Sequence, residues 1–265
     1  MSEIVIEWLE EDQEIIQKRI LKAITAELKL TDRQVLTTIN LLDEGNTIPF
    51  IARYRKEMTG ELDETQIRAI EERLQYLRNL EARKAEVLRL IFEQGKLTKE
   101  LQQSITSSVK LQEVEDLYRP YRQKRKTRAS VARERGLEPL AEWLLSQPRS
   151  GDVLQEAANY VNPDKDVPTE EAALQGAMDI IAEGIADDAA IRAWVRKFTY
   201  DHGIIVTEAK DAEVESVYEM YYDYQEPVRK LPPHRILAIN RGEREEVLKV
   251  KLDVPDERIH EYIAR

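Results

Sequence analysis

The residues best suited to chemistry lie between positions 118 and 135. Arg119, Arg122, Lys124, Arg125, Lys126, Arg128, Arg133 and Arg135 crowd this window, opposed within it only by Glu134, with Tyr118 and Tyr121 interleaved. Basic side chains neutralise phosphates and release condensed counterions, and tyrosine rings stack on unpaired bases. The stretch is therefore a candidate contact for RNA or DNA. A competing reading puts Tyr118 and Tyr121 in a core and pairs the arginines with carboxylates elsewhere in the chain. Composition alone favours that pairing, because acidic residues are in surplus.

A smaller cluster, Arg53, Arg55 and Lys56, stands beside Asn46, Thr47 and Pro49. In a helix-turn-helix-like unit these cations would reach a phosphate backbone, but a lone cluster of this size reads more simply as a solvated helix face. Pro49, Phe50 and Tyr54 are expected to build the fold. Tyr218, Tyr221, Tyr222 and Tyr224 point to several faces, which suits a core or an interface better than a stacking platform.

Catalysis needs a nucleophile with its base, or a metal cluster, and neither is legible. The histidines, His202, His234 and His260, lie far apart with no ligand spacing. Gly176, Gly184 and Gly203 are isolated rather than gathered before a helix, so no phosphate loop is expected. Carboxylate pairs such as Glu71-Glu72 and Glu245-Glu246 sit beside lysine and arginine and read as solvated surface. The sequence predicts no catalytic residue, no metal, no cofactor and no small-molecule substrate.

Bulk composition frames these sites. With 265 residues the chain is long enough to bury a large core. Its 51 acidic and 40 basic residues give a net charge of −11, which would repel nucleic acid if spread evenly, so only a local basic patch could attract it. The absence of cysteine excludes disulfides and thiolate zinc sites and asks for no oxidising compartment. The first residues are acidic where a signal peptide would be basic, and no apolar run approaches the roughly 18 residues of a membrane span. A cytoplasmic chain with no membrane partner is expected.

Charged residues at 34% with only 9 glycines predict a mainly α fold. Ile15, Ile16, Ile20, Ile24 and Leu28 recur at helical spacing. Thr31 and Asp32 can cap a second helix carrying Val35, Leu36, Ile39 and Leu42, which Gly45 and Asn46 stop. A third helix is predicted from Ile48 to Met58, completing the helix-turn-helix-like N-terminus. From Asp63 to about Gln94 nothing interrupts the chain, and Ile67, Ile70, Leu74 and Leu77 form a seam on one central helix, roughly 45 to 50 Å long. The seam blurs at Glu81, Arg83 and Lys84, which favours packing onto neighbouring helices over a sustained coiled coil. Thr98 should cap a further helix, and 163–168 reads as a surface loop.

Helical pattern returns over 169–181 and 188–200, and the β-branched run from Ile204 to Thr207 predicts a short strand. Around Arg241-Gly242, apolar residues on both sides of a turn-like pair predict a small β-hairpin, with a last helix from about Pro255. The expected division is a helical domain over 1–210 and a connecting segment over 211–265.

Three blocks carry a family resemblance: GNTIPFIARYRKEMTGELDE from Gly45 to Glu64, LQEVEDLYRPYRQKRKTRASVARERGLEPLA from Leu111 to Ala141, and YYDYQEPVRKLPPHRILAINRGEREEVLKVKL from Tyr221 to Leu252. In this order they resemble the N-terminal helical region of the Tex family, bacterial transcription accessory proteins related to a eukaryotic elongation factor. The resemblance implies a non-catalytic, nucleic-acid-associated scaffold and places an RNase H-like domain, helix-hairpin-helix elements and an S1 module after this region. None of these is in the chain, so a fragment is expected, without whatever binding the S1 module supplies. The alternative function is a protein-interaction module that docks on transcription machinery or on those absent domains.

Overall fold

The computed structural model describes residues 13–123, 125–148 and 151–264. The chain packs as two compact units that divide between Tyr121 and Arg122. The division expected at 210/211 falls between two strands of one sheet.

The first unit is helical. α1 (Gln13–Leu28), α2 (Asp32–Asp43), α3 (Ile48–Tyr54), α4 (Lys56–Thr59), α5 (Glu64–Glu93), α6 (Lys99–Ser107) and α7 (Leu111–Tyr118) follow in order. Thr31 caps α2 as expected: its hydroxyl accepts from the Gln34 N–H, and the Gln34 side chain accepts from the Thr31 N–H at 3.0 Å. Asp63 caps α5 in the same reciprocal way with Gln66, satisfying backbone donors that a helix start leaves open. The predicted third helix is interrupted. Arg55 leaves helical geometry at φ −127°, so the segment splits into α3 and the single turn α4.

α5 is the long central helix, and its seam packs inside the unit rather than against another copy of itself. Ile67, Ile70, Leu74, Leu77, Leu80, Val87, Leu88 and Ile91 are all buried with Ile20, Ile24, Val35 and Ile51 in one core. Glu81 and Lys84, which blur the apolar repeat, are also buried, and they pair with each other at 2.9 Å.

The second unit contains α8 (Arg128–Glu134), α9 (Glu138–Leu145), α10 (Val153–Ala158), α11 (Glu170–Asp187), α12 (Ala189–His202), β1 (Ile204–Ala209), β2 (Asp223–Pro227), α13 (Pro233–Arg244), β3 (Leu248–Asp253) and α14 (Asp256–Ile263). α11 is the hub: α8, α9 and α10 pack on it through Ala129, Ala132, Leu137, Leu140, Ala157, Ala173 and Ala177. The alanines among them let helix backbones approach closely, and Gly176 takes part in that close approach. A Cβ there would lie 2.3 Å from the Leu137 Cδ1 and 3.3 Å from the Ala132 Cβ. Gly176→Val is therefore expected to lower stability by about 1–3 kcal/mol through overpacking. Urea unfolding of the two forms checks this, and equal midpoints would contradict it.

The strands form one antiparallel sheet in the order β2-β1-β3, with Val206 of β1 facing Gln225 and Lys251. The strand predicted at Ile204 is thus the central one. The predicted β-hairpin is corrected: Arg241 and Gly242 lie inside α13, not in a turn. Pro232 and Pro233 open that helix, and Ile239 and Gly242 lie on its buried face. The chain turns later, at Glu246 with φ 61°, and β3 pairs with β1, from Ala209 opposite Leu248 to Ile204 opposite Asp253, rather than with β2.

Candidate nucleic-acid interface

The basic stretch begins where α7 ends. A single 3-10 turn, Arg119–Tyr121, leads out of the first unit, held by the Gln94 side-chain amide, which donates to the Tyr121 carbonyl at 2.9 Å. Beyond it the chain enters the second unit and reaches α8. Thr127 caps α8, its hydroxyl accepting from the Ser130 N–H at 3.0 Å and donating to Glu183 at 3.0 Å. The boundary between the units therefore falls inside the stretch, with Arg119 on one side and Arg122 to Arg135 on the other.

The two rings are not equivalent. Tyr118 is only 8% exposed, packed in the first unit's core with the Arg83 guanidinium 5.3 Å from its ring centre. That ring is closed to a base, so the stacking role expected of Tyr118 has no surface to act through. Tyr121 is half-buried against the same core.

The cations divide in a similar way. Arg133 sits between two carboxylates, Glu183 at 2.7 Å and Glu138 at 3.3 Å. The hydrogen bond it donates to Glu183 raises the guanidinium pKa above its already high ordinary value. Arg135 is paired with Asp166, and Lys126 with Glu134 at 3.4 Å. Arg122, Arg125 and Arg128 are exposed, and none has a carboxylate partner among the described residues. Arg119 is also exposed. Lys124 lies outside the described residues.

In the first unit, Arg53 is exposed without a carboxylate partner among the described residues. Arg55 is half-buried, stacked 5.1 Å over the Phe50 ring and donating to the Tyr54 carbonyl at 3.2 Å. Lys56 pairs with Glu61 at 3.5 Å. Tyr54, expected to build the fold, is 65% exposed, its ring 5.3 Å from that of Phe50. It is the open ring that the sequence reading missed. Spacing gave no warning of it, because Ile48, Ile51 and Tyr54 step by three as residues sharing a helix face do, and Tyr54 is the last residue of α3.

The other tyrosine run behaves as core. Tyr218 and Tyr221 are buried with Ile239 and Leu248, and the Tyr218 hydroxyl donates to Glu245 at 2.7 Å. Among the described residues no group of histidine, aspartate and glutamate is arranged to hold a metal ion. No helix among them is long and apolar enough to cross a membrane.

Comparison with known proteins gives two family matches. A model described as the Tex-like protein N-terminal domain matches residues 18–92, and one described as Tex central region-like matches residues 149–264. The basic stretch lies between the two matched segments. The protein YdcI of Bacillus subtilis is 51% identical over 245 residues, 91% of this chain and 34% of that protein. Transcriptional accessory protein Tex of Neisseria gonorrhoeae is 46% identical over 236 residues, 88% of this chain and 31% of that protein. S1 RNA-binding domain-containing protein 1 of Homo sapiens is 31% identical over 228 residues, 82% of this chain and 22% of that protein. The chain spans about a third of the length of the bacterial relatives it matches.

Proposed function

Because the chain belongs to the Tex family, we propose that it is a non-catalytic scaffold of a cytoplasmic transcription accessory protein that contacts RNA or DNA through the exposed arginines after α7. One observation carries this reading. Arg122, Arg125 and Arg128 reach solvent within a short span without carboxylate partners among the described residues, in a chain whose net charge is −11. A chain with a surplus of 11 carboxylates would neutralise such groups if pairing were their purpose. Leaving them open keeps a local positive field that phosphates can enter, and displaced counterions drive the contact. Arg119, Lys124 and Lys126 extend the same stretch, whereas Arg133 is given over to Glu183 and Glu138. Arg53, Arg55 and Lys56 form a secondary contact beside the open Tyr54 ring.

The name of the human relative, which records an S1 RNA-binding domain, supports RNA as the first ligand to try. The test is photocrosslinking of a 4-thiouridine-labelled single-stranded RNA to the chain, followed by peptide mapping. Crosslinks are expected in peptides covering 119–128. Crosslinks confined to other segments would overturn the assignment.

A second reading, docking on transcription machinery, is favoured by the segment between β1 and β2. There Val214, Val217 and Met220 are 52%, 86% and 69% exposed, apolar surface that a solvated loop does not require.

A further inference from the structure

Behind the open arginines, the second unit holds a groove of about 470 Å³ between α8 and α11. Lys126, Arg128 and Arg135 stand on one rim, Gln175 and Asp179 on the other, and Gly176 forms part of the floor. The volume lies in the range of about 300–1,000 Å³ that holds a small-molecule-sized ligand, so it suits one nucleoside and not a duplex. We infer that this groove takes a single unpaired base from a bound strand and selects guanine. The inference rests on the nucleic-acid reading above and adds to it a base preference.

Asp179 carries the argument. It is half-buried in a groove rimmed by cations, yet among the described residues no cation pairs with it. Its partner is the Gln175 amide, one helical turn earlier, which donates across a long 3.4 Å. A carboxylate so placed accepts from a ligand that brings N–H donors. Unpaired bases are read in this way, by hydrogen bonds to the edge that would otherwise form a base pair. On that edge guanine alone offers two adjacent donors, the ring N1–H and the exocyclic amine, with an oxygen acceptor next to them. A carboxylate receives both donors, and the neighbouring Gln175 amide nitrogen donates to the oxygen. Adenine and cytosine present a ring acceptor where Asp179 needs a donor, and uracil offers only one donor. The strand's phosphates would lie on the opposite rim, toward Arg128 and Lys126, away from the carboxylate that would repel them.

The groove thus separates two tasks by charge: the arginine rim attracts any strand, and the α11 rim distinguishes bases. The test uses the full chain and short uridine strands that carry one central guanine, inosine or adenine, with binding read by fluorescence anisotropy at fixed salt. The guanine strand is expected to bind about tenfold more tightly than the adenine strand, with inosine between them. Asp179→Asn, near-isosteric and checked by circular dichroism, should bring guanine and adenine within about twofold, because an amide can satisfy either base. Gln175→Ala should reduce the guanine preference without affecting the adenine strand. Arg128→Glu should weaken all strands alike.

Equal affinity of the native chain for guanine and adenine, or an Asp179→Asn protein that keeps the preference, overturns the inference. If Arg128→Glu still weakens binding in that case, the underlying nucleic-acid reading stands. If no strand binds, or Arg128→Glu changes nothing, that reading falls and this inference with it.

Discussion

Glu81→Ala is expected to lower the stability of the first unit by about 3–5 kcal/mol, the cost of leaving a buried charge without its counter-ion. Lys84 is the charge in question. Its side chain is 4% exposed, and its ammonium donates to Glu81 at 2.9 Å and to the Thr106 carbonyl at 2.9 Å. Glu81, itself 9% exposed, also accepts from Arg19 at 2.6 Å, so the carboxylate ties α1 to α5 and the ammonium ties α5 to the end of α6. Arg19 can turn to water when that carboxylate is removed, but among the described residues Lys84 keeps only a carbonyl. Hydrogen exchange of α5 amides reads the local unfolding free energy of this unit directly. A change below about 1 kcal/mol would show that water already reaches the ammonium. Replacing both partners, Glu81→Leu with Lys84→Met, should restore most of the loss, since a buried ion pair often adds little over apolar packing.

Reversing Arg122, Arg125 and Arg128 to glutamate is expected to weaken binding of single-stranded RNA by about 100-fold at low salt, while leaving the helical content unchanged. These guanidiniums contact no carboxylate among the described residues, so the fold loses nothing when they change sign. Arg133→Glu gives the contrasting pattern. It sets a third carboxylate against Glu138 and Glu183, so stability should fall while binding changes little. A variant set in which Arg133→Glu abolishes binding and the triple reversal does not would reverse the assignment of roles.

The contrast between these arginines marks what the sequence could convey. A local window sees Glu134 as the sole acid among eight cations. Besides the nearby Glu138, the partners that neutralise Arg133 and Arg135 are Glu183, fifty positions on, and Asp166, thirty-one positions on. The pairing with Glu183 is set by how α8 packs on α11 and that with Asp166 by the turn that precedes α11, which no local charge count contains. Whether Tyr118 is a core ring or a stacking ring was open for the same reason, since its burial depends on the core around α5.

What was legible rests on local chemistry. Thr31, Asp63 and Thr98 announce their helices because a side-chain oxygen bonds the open N–H groups of the first turn. The α5 seam was legible because its period is a property of one helix. Arg241-Gly242 misled because a glycine after an arginine looks like a turn, when the residue is small in order to fit beneath Leu248 and Tyr218. A Cβ there would stand 2.7 Å from the Leu248 Cδ1 and 3.2 Å from the Tyr218 Cδ1. The positive φ that does make the turn belongs to Glu246, a residue type that gives no warning of it.

The most direct measurement is a salt series of single-stranded RNA binding for the native chain beside the triple arginine reversal. Each phosphate contact contributes about 0.7 to the slope of log affinity against log salt on a single strand. If Arg122, Arg125 and Arg128 each neutralise a phosphate, the reversed chain should lose about 2 from that slope. Parallel lines of equal affinity would mean that these arginines face no phosphate.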